Sequence, residues 1–557
     1  MTDLSISDAL AKLATIGDKL FGSLNSTLSQ HARLITMETA QGSDLPDSLV
    51  VEGFTGREAI NELFTFNIDA LSLSTSVDLK QFIGEEITLR LLQADGSRRA
   101  WHGFCTEAMW LGSDGGMARY RLRLESFLSF LVLRRDAFIF QDKDARQIVT
   151  ELMVDYPQAN FKWDVTRKLQ SRAICTQYRE TDLEFFTRLL AQDGLSWRFE
   201  HEQDGTDANA AGKTSTHAKH QLIIFDAQAI APDMLGASGT NTLRYHAVRA
   251  TECSDSINQF SATRQVQSNA VSLSSWDFVS VGAPASEQIS SLAQGDLPEL
   301  VSYDGAAERR YADCGDANAQ NELHLQAHEA GNKYFSGAGA VRQLAAGHTF
   351  SLSQHAHYAP GNDTFTVLAV DHAATNNFDT GIARLLKLSD LERGTYRNHF
   401  ICLRDVVPIV PGLSALRRSP LALGAQVALV VGLEGAPLTT ERDHRIKVQF
   451  PWQRGHAPMS GGATDTGTLT APESNAPGDE TSGTWVRVSE ALSGANWGSN
   501  FTPRVGTEVL VDFIEADMDR PVIVACLYTV FRRGRFRGEP CRIFVGHSYA
   551  ESGGRRI

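Results

Sequence analysis

The chain has 557 residues, 42% apolar and 21% charged, with a formal net charge of −14. That length exceeds what one hydrophobic core organises, so several domains are expected, and the composition is that of an ordinary soluble globular protein. The acidic balance argues against a nucleic-acid binder, which needs a cationic face to displace counterions.

The N-terminus, "MTDLSISDALAKLATIGDKLF", lacks the basic-then-apolar order of a secretory signal. Its apolar positions (Leu10, Leu13, Ile16, Leu20, Phe21) recur at helical spacing and predict an amphipathic helix in residues 1–35. From about residue 48 the texture becomes β: "LVVEGF", "LFTFNIDA", "EEITLRLL" and "ARYRLRLES" alternate apolar and polar positions and are separated by Asp-Gly turn signals. Two helices interrupt. "DKDARQIVTELM" starts with Asp144 as a cap. In "YRETDLEFFTRLLAQDGLSWRFE", Thr181 and Glu184 fit a capping box, Leu183, Phe186 and Leu190 make one face, and Gly194 suits the left-handed C′ position.

A further helix is expected near 317–334, then short strands ("HTFSLSQ", "FTVLAVDHAA") to about 375. A Pro- and Leu-rich connection leads into a second strand block, "AQVALVVG", "RIKVQF", "TWVRVSE", "GTEVLVDF" and "PVIVACLY", which suggests a small β-barrel of the oligosaccharide/oligonucleotide-binding (OB) type. Within it, residues 455–483 hold no Lys or Arg and little large apolar content, and read as a mobile loop. The longest apolar run, 421–433, is too short to span a bilayer. Seven scattered cysteines without a CxxC pair read as buried or free thiols, with Cys526 as a small buried hydrophobe.

Three clusters invite a chemical reading. His324 and His328 stand at i, i+4 on a helix, but no Glu lies between them, and they read as polar helix surface. His355 and His357 could share a strand face, yet no third ligand is identifiable and a strand-end placement is the simpler reading. Glu515, Asp517 and Asp519 fall in a turn, where acidic residues are common and solvated. With no GxSxG, phosphate loop or dinucleotide fingerprint, no catalytic, cofactor-binding or metal residue is assigned, no cofactor is expected, and the chain is not read as an enzyme.

The segment "WVRVSEALSGANWGSNFTPRVGTEVLVDFIEADMDRPVIVACLY" (485–528) closely resembles the OB module of VgrG proteins, the spikes of the bacterial type VI secretion system. The resemblance rests on Trp485, Arg487, Trp497, Gly498, Pro503, Arg504, Gly506, Glu508, Asp512, Phe513, Asp519, Arg520 and Pro521. "RIKVQFPW" resembles that module's opening strand, and blocks at 49–72, 127–153 and 177–200 are similar to the family's phage-hub-like region. The resemblance implies a mainly β fold with a few helices (α+β): phage-hub-like β-barrel domains over 36–385, a linker over 386–425, and an OB barrel over 426–529. Three departures accompany it, the first being that the loop at 455–483 is long for an OB module. The turn "EADMDRP" has Ala516 where the family commonly has glycine. The tail 530–557, with seven Arg and two Glu, replaces the usual β-helix needle and reads as the product of a changed frame or truncated gene, or else as a native basic tail for an acidic partner.

What the resemblance implies about function is a homotrimeric structural spike and hub. It would cap the secreted tube, help puncture target membranes and deliver effectors. Its expected partners are a hexameric Hcp-like tube protein, baseplate proteins, an effector or adaptor, and a PAAR-like tip protein, whose docking is in question without a needle; nucleic acid is not among them. The chain would be cytoplasmic before firing and then translocated by the machine. The alternatives are the hub of a phage or phage-like contractile tail, or a spike carrying a cell-wall hydrolase.

Overall fold

The computed structural model describes residues 33–39, 49–74, 77–114, 117–203, 219–234, 241–246, 255–292, 295–305, 310–358, 360–378, 395–415, 420–441, 443–453, 480–494 and 497–528. The expected N-terminal helix, most of the 455–483 loop and the arginine-rich tail lie outside them. The chain divides into two compact units, Met1–Leu421 and Ala422–Ile557.

The first unit is organised by a 12-stranded sheet. Its first half comprises β1 (Ile35–Thr39), β2 (Val50–Ala59), β3 (Thr65–Ser72), β4 (Glu86–Leu92), β5 (Arg98–Asp114) and β6 (Met117–Glu125). Alternation decides which way each strand faces. In β6, Tyr120, Leu122 and Leu124 are buried, whereas Arg119, Arg121 and Arg123 point outward. Those arginines pair with Glu52, Asp69 and Glu107, so the outer face is a charged lattice and the inner face is the core.

The inner face is covered by the next segment. Strands β7 (Arg135–Lys143) and β9 (Arg172–Thr181) pair with each other, and β8 (Phe161–Asp164), β10 (Ser196–His201) and β11 (His220–Phe225) form a second small sheet. In helix α1 (Ala145–Met153) the expected Asp144 cap is extended to a reciprocal box with Gln147, and helix α2 (Asp182–Gln192) carries the capping box expected from Thr181 and Glu184. Phe185, Phe186, Leu189 and Leu190 of α2 are fully buried in the main core with Phe64, Phe66, Trp101 and Trp197. Gly194 takes φ +66° just past the helix, the left-handed conformation that ends it.

The unit continues through β12 (Thr242–Arg244), β13 (Ile257–Arg264), β14 (Ala270–Ser274), β15 (Ala285–Ile289), β16 (Val301–Asp304), α3 (Cys314–Asn332), β17 (Lys333–Gly339), β18 (Thr349–Ser353) and β19 (Thr364–Thr375). Strand β19 pairs with β2 and thereby joins the two halves of the sheet across more than 300 residues of chain. Part of the segment read as the 386–425 linker belongs to this sheet. Tyr396–Arg404 is strand β20, hydrogen-bonded between β19 and β17. Its alternation (Tyr396, Asn398, Phe400 and Cys402 buried) is that of a sheet strand, which the flanking Pro- and Leu-rich composition concealed.

The second unit holds β21 (Gln426–Val431), β22 (Thr440–Glu441), β23 (Arg445–Gln449), β24 (Thr484–Val488), β25 (Ser493–Gly494), β26 (Trp497–Gly498), β27 (Glu508–Phe513) and β28 (Pro521–Leu527). The order β21-β27-β28-β24-β23, with β23 pairing back onto β21, closes a five-stranded barrel. Closure removes the open sheet edges. Val509, Val511 and Phe513 face the barrel interior with Val430, Val448 and Val486, while Asp512 is exposed. The fold is therefore mainly β with few helices, a hub-like sheet unit followed by an OB barrel.

Candidate functional site

The barrel presents a cleft of about 540 Å³ lined by Asp443, His444, Arg487, Glu490, Ser499 and Asp512, with Val522 and Val524 of β28 on its apolar side. Glu490 organises this end of the module. It accepts from the Phe501 N–H, from the Ser499 hydroxyl at 3.1 Å and from His444 Nε2 at 3.1 Å. Desolvation opposes its ionisation, but the Phe501 N–H, the Ser499 hydroxyl and His444 outweigh it and hold the carboxyl below the usual glutamate range. The loop carrying the β25–β26 hairpin is thus tied to the barrel by one carboxylate.

The residues singled out in the sequence divide by role. Trp485 lies on β24 under the Lys447 ammonium, 5.1 Å from its ring centroid, and Arg487 lines the cleft. Trp497 and Gly498 form β26, with Trp497 exposed. Pro503 is buried and Arg504 exposed. Gly506 completes the turn before β27 at φ +84° and donates to the Val430 carbonyl at 2.7 Å, a conformation other residues adopt at a cost. Glu508 begins β27, Asp512 faces the cleft and Phe513 packs inside.

Asp519, Arg520 and Pro521 close the β27–β28 turn. The Asp519 N–H donates to Asp517, and the Arg520 guanidinium reaches Glu515 at 2.7 Å and Asp517 at 3.2 Å. The acidic triplet therefore serves its own turn. Ala516 sits at φ +60°, in the left-handed region that favours glycine. The departure noted in the sequence is thus a strained position. Ala516→Gly should stabilise this unit by about 0.5–1 kcal/mol, the relieved strain less the added freedom of the unfolded chain; an unchanged denaturation midpoint would contradict it.

The other sequence candidates resolve differently. His328 is buried on α3 rather than on polar surface, with its pKa lowered by desolvation and by His324. His355 and His357 occupy the turn after β18, where the His357 N–H donates to His355 Nδ1 at 3.2 Å. Among the described residues no three metal-ligating side chains come together. Cys526, expected to be buried, is exposed: β28 turns its last residues outward, with Val524, Leu527 and Tyr528 also exposed.

A group that sequence reading missed lies inside the first unit. Glu58 of β2 and Arg99 of β5 are 2.5 Å apart and almost fully buried. Arg99 also donates to the carbonyls of Arg342 and Leu344 and lies over the Trp101 ring at 4.4 Å. His372 of β19 bridges Glu58 at 3.2 Å and Tyr396 of β20 at 2.7 Å. Burial works against the Glu58 carboxylate, but Arg99 and His372 hold its pKa well below the usual range. Four strands far apart in sequence meet at this network. No local motif could have signalled it.

The fold and these two sites define a class: a contractile-tail hub carrying an injector barrel. Residues 57–378 match the family model for the phage tail baseplate hub (GPD), and 472–528 match the type VI secretion system/phage-baseplate injector OB domain. The type VI secretion system spike protein VgrG1a of Pseudomonas aeruginosa is 27% identical over 501 residues, 90% of this chain and 70% of that protein. VgrG1b of the same organism is 28% identical over 506 residues, 90% of this chain and 61% of that protein. An E. coli component of the type VI secretion system, itself described as similar to T4 tail proteins gp27 and gp5, shares the fold with a TM-score of 0.57 at 17% identity, covering 88% of this chain and 100% of that one. The chain belongs to the phage tail baseplate hub family. Its domain order and relatives place it with the VgrG-type spike proteins of type VI secretion.

Proposed function

We propose that this chain is the hub and spike base of a contractile type VI secretion machine, acting as a homotrimer that seats on a hexameric Hcp-like tube and is expelled with it. The observation that carries this reading is the order of a hub sheet unit and a closed injector barrel in one chain, matched by both family models. The exposed apolar end of β28 (Val524, Leu527, Tyr528) supports association with further copies, since such surface costs free energy in water. Its role is mechanical rather than enzymatic: the acidic residues of the spike turn are engaged by Arg520, and the buried charges of the hub by one another. Baseplate proteins, an effector or adaptor and a PAAR-like tip protein complete the partners. Before firing the chain is held in the cytoplasm, and among the described residues no helix is long and apolar enough to cross a membrane.

Deleting the gene in its own bacterium should abolish release of the tube protein into the medium, and the intact chain should restore it. Undiminished release in the deletion strain would refute the role. Light scattering should give about three times the 61.0 kDa chain mass.

A further inference from the structure

The first half of β5 is paired on one edge only. Its ladder with β4 runs from Arg98 to Phe104, but pairing with β6 begins only at Phe104. Residues 98–103 therefore present backbone groups that need partners inside the core. Side chains from the end of β10 supply them. Gln203 accepts from the Ala100 N–H and donates to the Ala100 carbonyl, both at 2.9 Å, and His201 Nδ1 accepts from the His102 N–H at 3.0 Å. His102 Nε2 in turn reaches the Glu202 carbonyl at 2.7 Å, with Thr88 Oγ1 at 2.8 Å from its Nδ1.

On the neighbouring strand, directly paired with His201, stands His220. Its Nε2 accepts from the Phe127 N–H at 3.0 Å, at the start of the helical turn Phe127–Val132. Both rings are thus hydrogen-bond acceptors toward backbone N–H groups, and this settles their state. The nitrogen that would take a second proton already faces an N–H. The opposite nitrogen of each ring has no hydrogen-bond partner among the described residues. The rings lie 6.2 Å apart amid Phe64, Phe104, Phe127 and Phe199.

We propose that His201 and His220 form an acid-sensitive latch, whose protonation releases the β8–β11–β10 sheet from the 12-stranded sheet while the rest of the hub stays folded.

Charge around the pair does not compensate. Glu58 of β2 is already neutralised by Arg99, and Arg99 and His102 of β5 disfavour a further cation. On β10 itself, Glu200 is paired with Arg198. Glu86 of β4 stands at the rim, engaged with the Lys219 N–H, and the Phe127–Val132 turn carries no charged side chain. Desolvation accordingly lowers both histidines, His201 strongly and His220 to about 3, far below any physiological pH. A histidine depressed in the folded state contributes stability that is fully present above the unfolded value of about 6.5 and is lost as pH falls below it.

The test is hydrogen exchange of the full chain at pH 7.5, 6.5 and 5.5, corrected for the intrinsic pH dependence of exchange. If both rings take up protons only on opening, the opening constant of peptides covering 196–203 and 220–225 should rise roughly 30-fold between pH 6.5 and 5.5. Peptides from β21 and β27 should not follow it. The H201N/H220Q variant keeps an acceptor at each position without a titrating group, and its protection should stay flat over the same interval. Should that variant fail to fold, H220Q alone should reduce the rise to about fivefold. An unaltered rise in either variant, or no pH response in the parent chain, would overturn the latch.

Discussion

Arg99→Ala should destabilise the hub unit by about 3–5 kcal/mol, because it leaves the Glu58 carboxylate buried without its cation. Glu58 is 5% exposed, so water cannot take the place of the guanidinium. The double variant E58Q/R99M, which removes both charges while filling similar volume, should lose far less than the single one. Denaturant unfolding with an unchanged slope would measure both. The sign of the pH dependence follows from Glu58. A carboxylate held below its ordinary range contributes stability present above about pH 4.5 and lost as pH falls, and R99A should lack that contribution. If R99A cost under about 1 kcal/mol, Arg99 and Glu58 would not be the desolvated pair their burial describes.

Phe513→Ala is expected to cost about 3–5 kcal/mol, concentrated in the second unit. Phe513 stacks on Phe450 at 6.0 Å, which stacks in turn on Trp452 at 5.0 Å, so one truncation opens a cavity at the end of an aromatic column. The barrel encloses a small core and has little stability to spare. The variant should show two unfolding transitions, the hub near its original midpoint and the barrel far lower. A single transition shifted as a whole would mean that the two units unfold together.

The local devices were readable in the sequence. The cap at Asp144, the capping box at Thr181 and the stop at Gly194 depend on residues a few positions apart, and chain order alone exposes them. The block order also sufficed to name the family. Strand β20 was missed because its neighbours by composition are loop-like while its neighbours in space, β17 and β19, are sheet. Cys526 was misplaced because an apolar run does not say where a strand leaves its barrel.

What the amino-acid order determined by itself, then, is most of the longer strands and helices with their caps and turns, since each rests on interactions of short range along the chain, while the hub-then-barrel plan came from the order of the blocks that resemble the family. What only the tertiary structure decided is which polar side chains the core would enclose. Glu58, Arg99, His220 and His372 are buried and His201 is half-buried; they stand on strands separated by up to 314 residues, and no neighbour along the chain marks any of them as part of a network. Their meaning arises where packing strips them of water and leaves them to one another and to groups brought from other strands: the Arg342 and Leu344 carbonyls, the Tyr396 hydroxyl and the backbone N–H groups of Phe127 and His102.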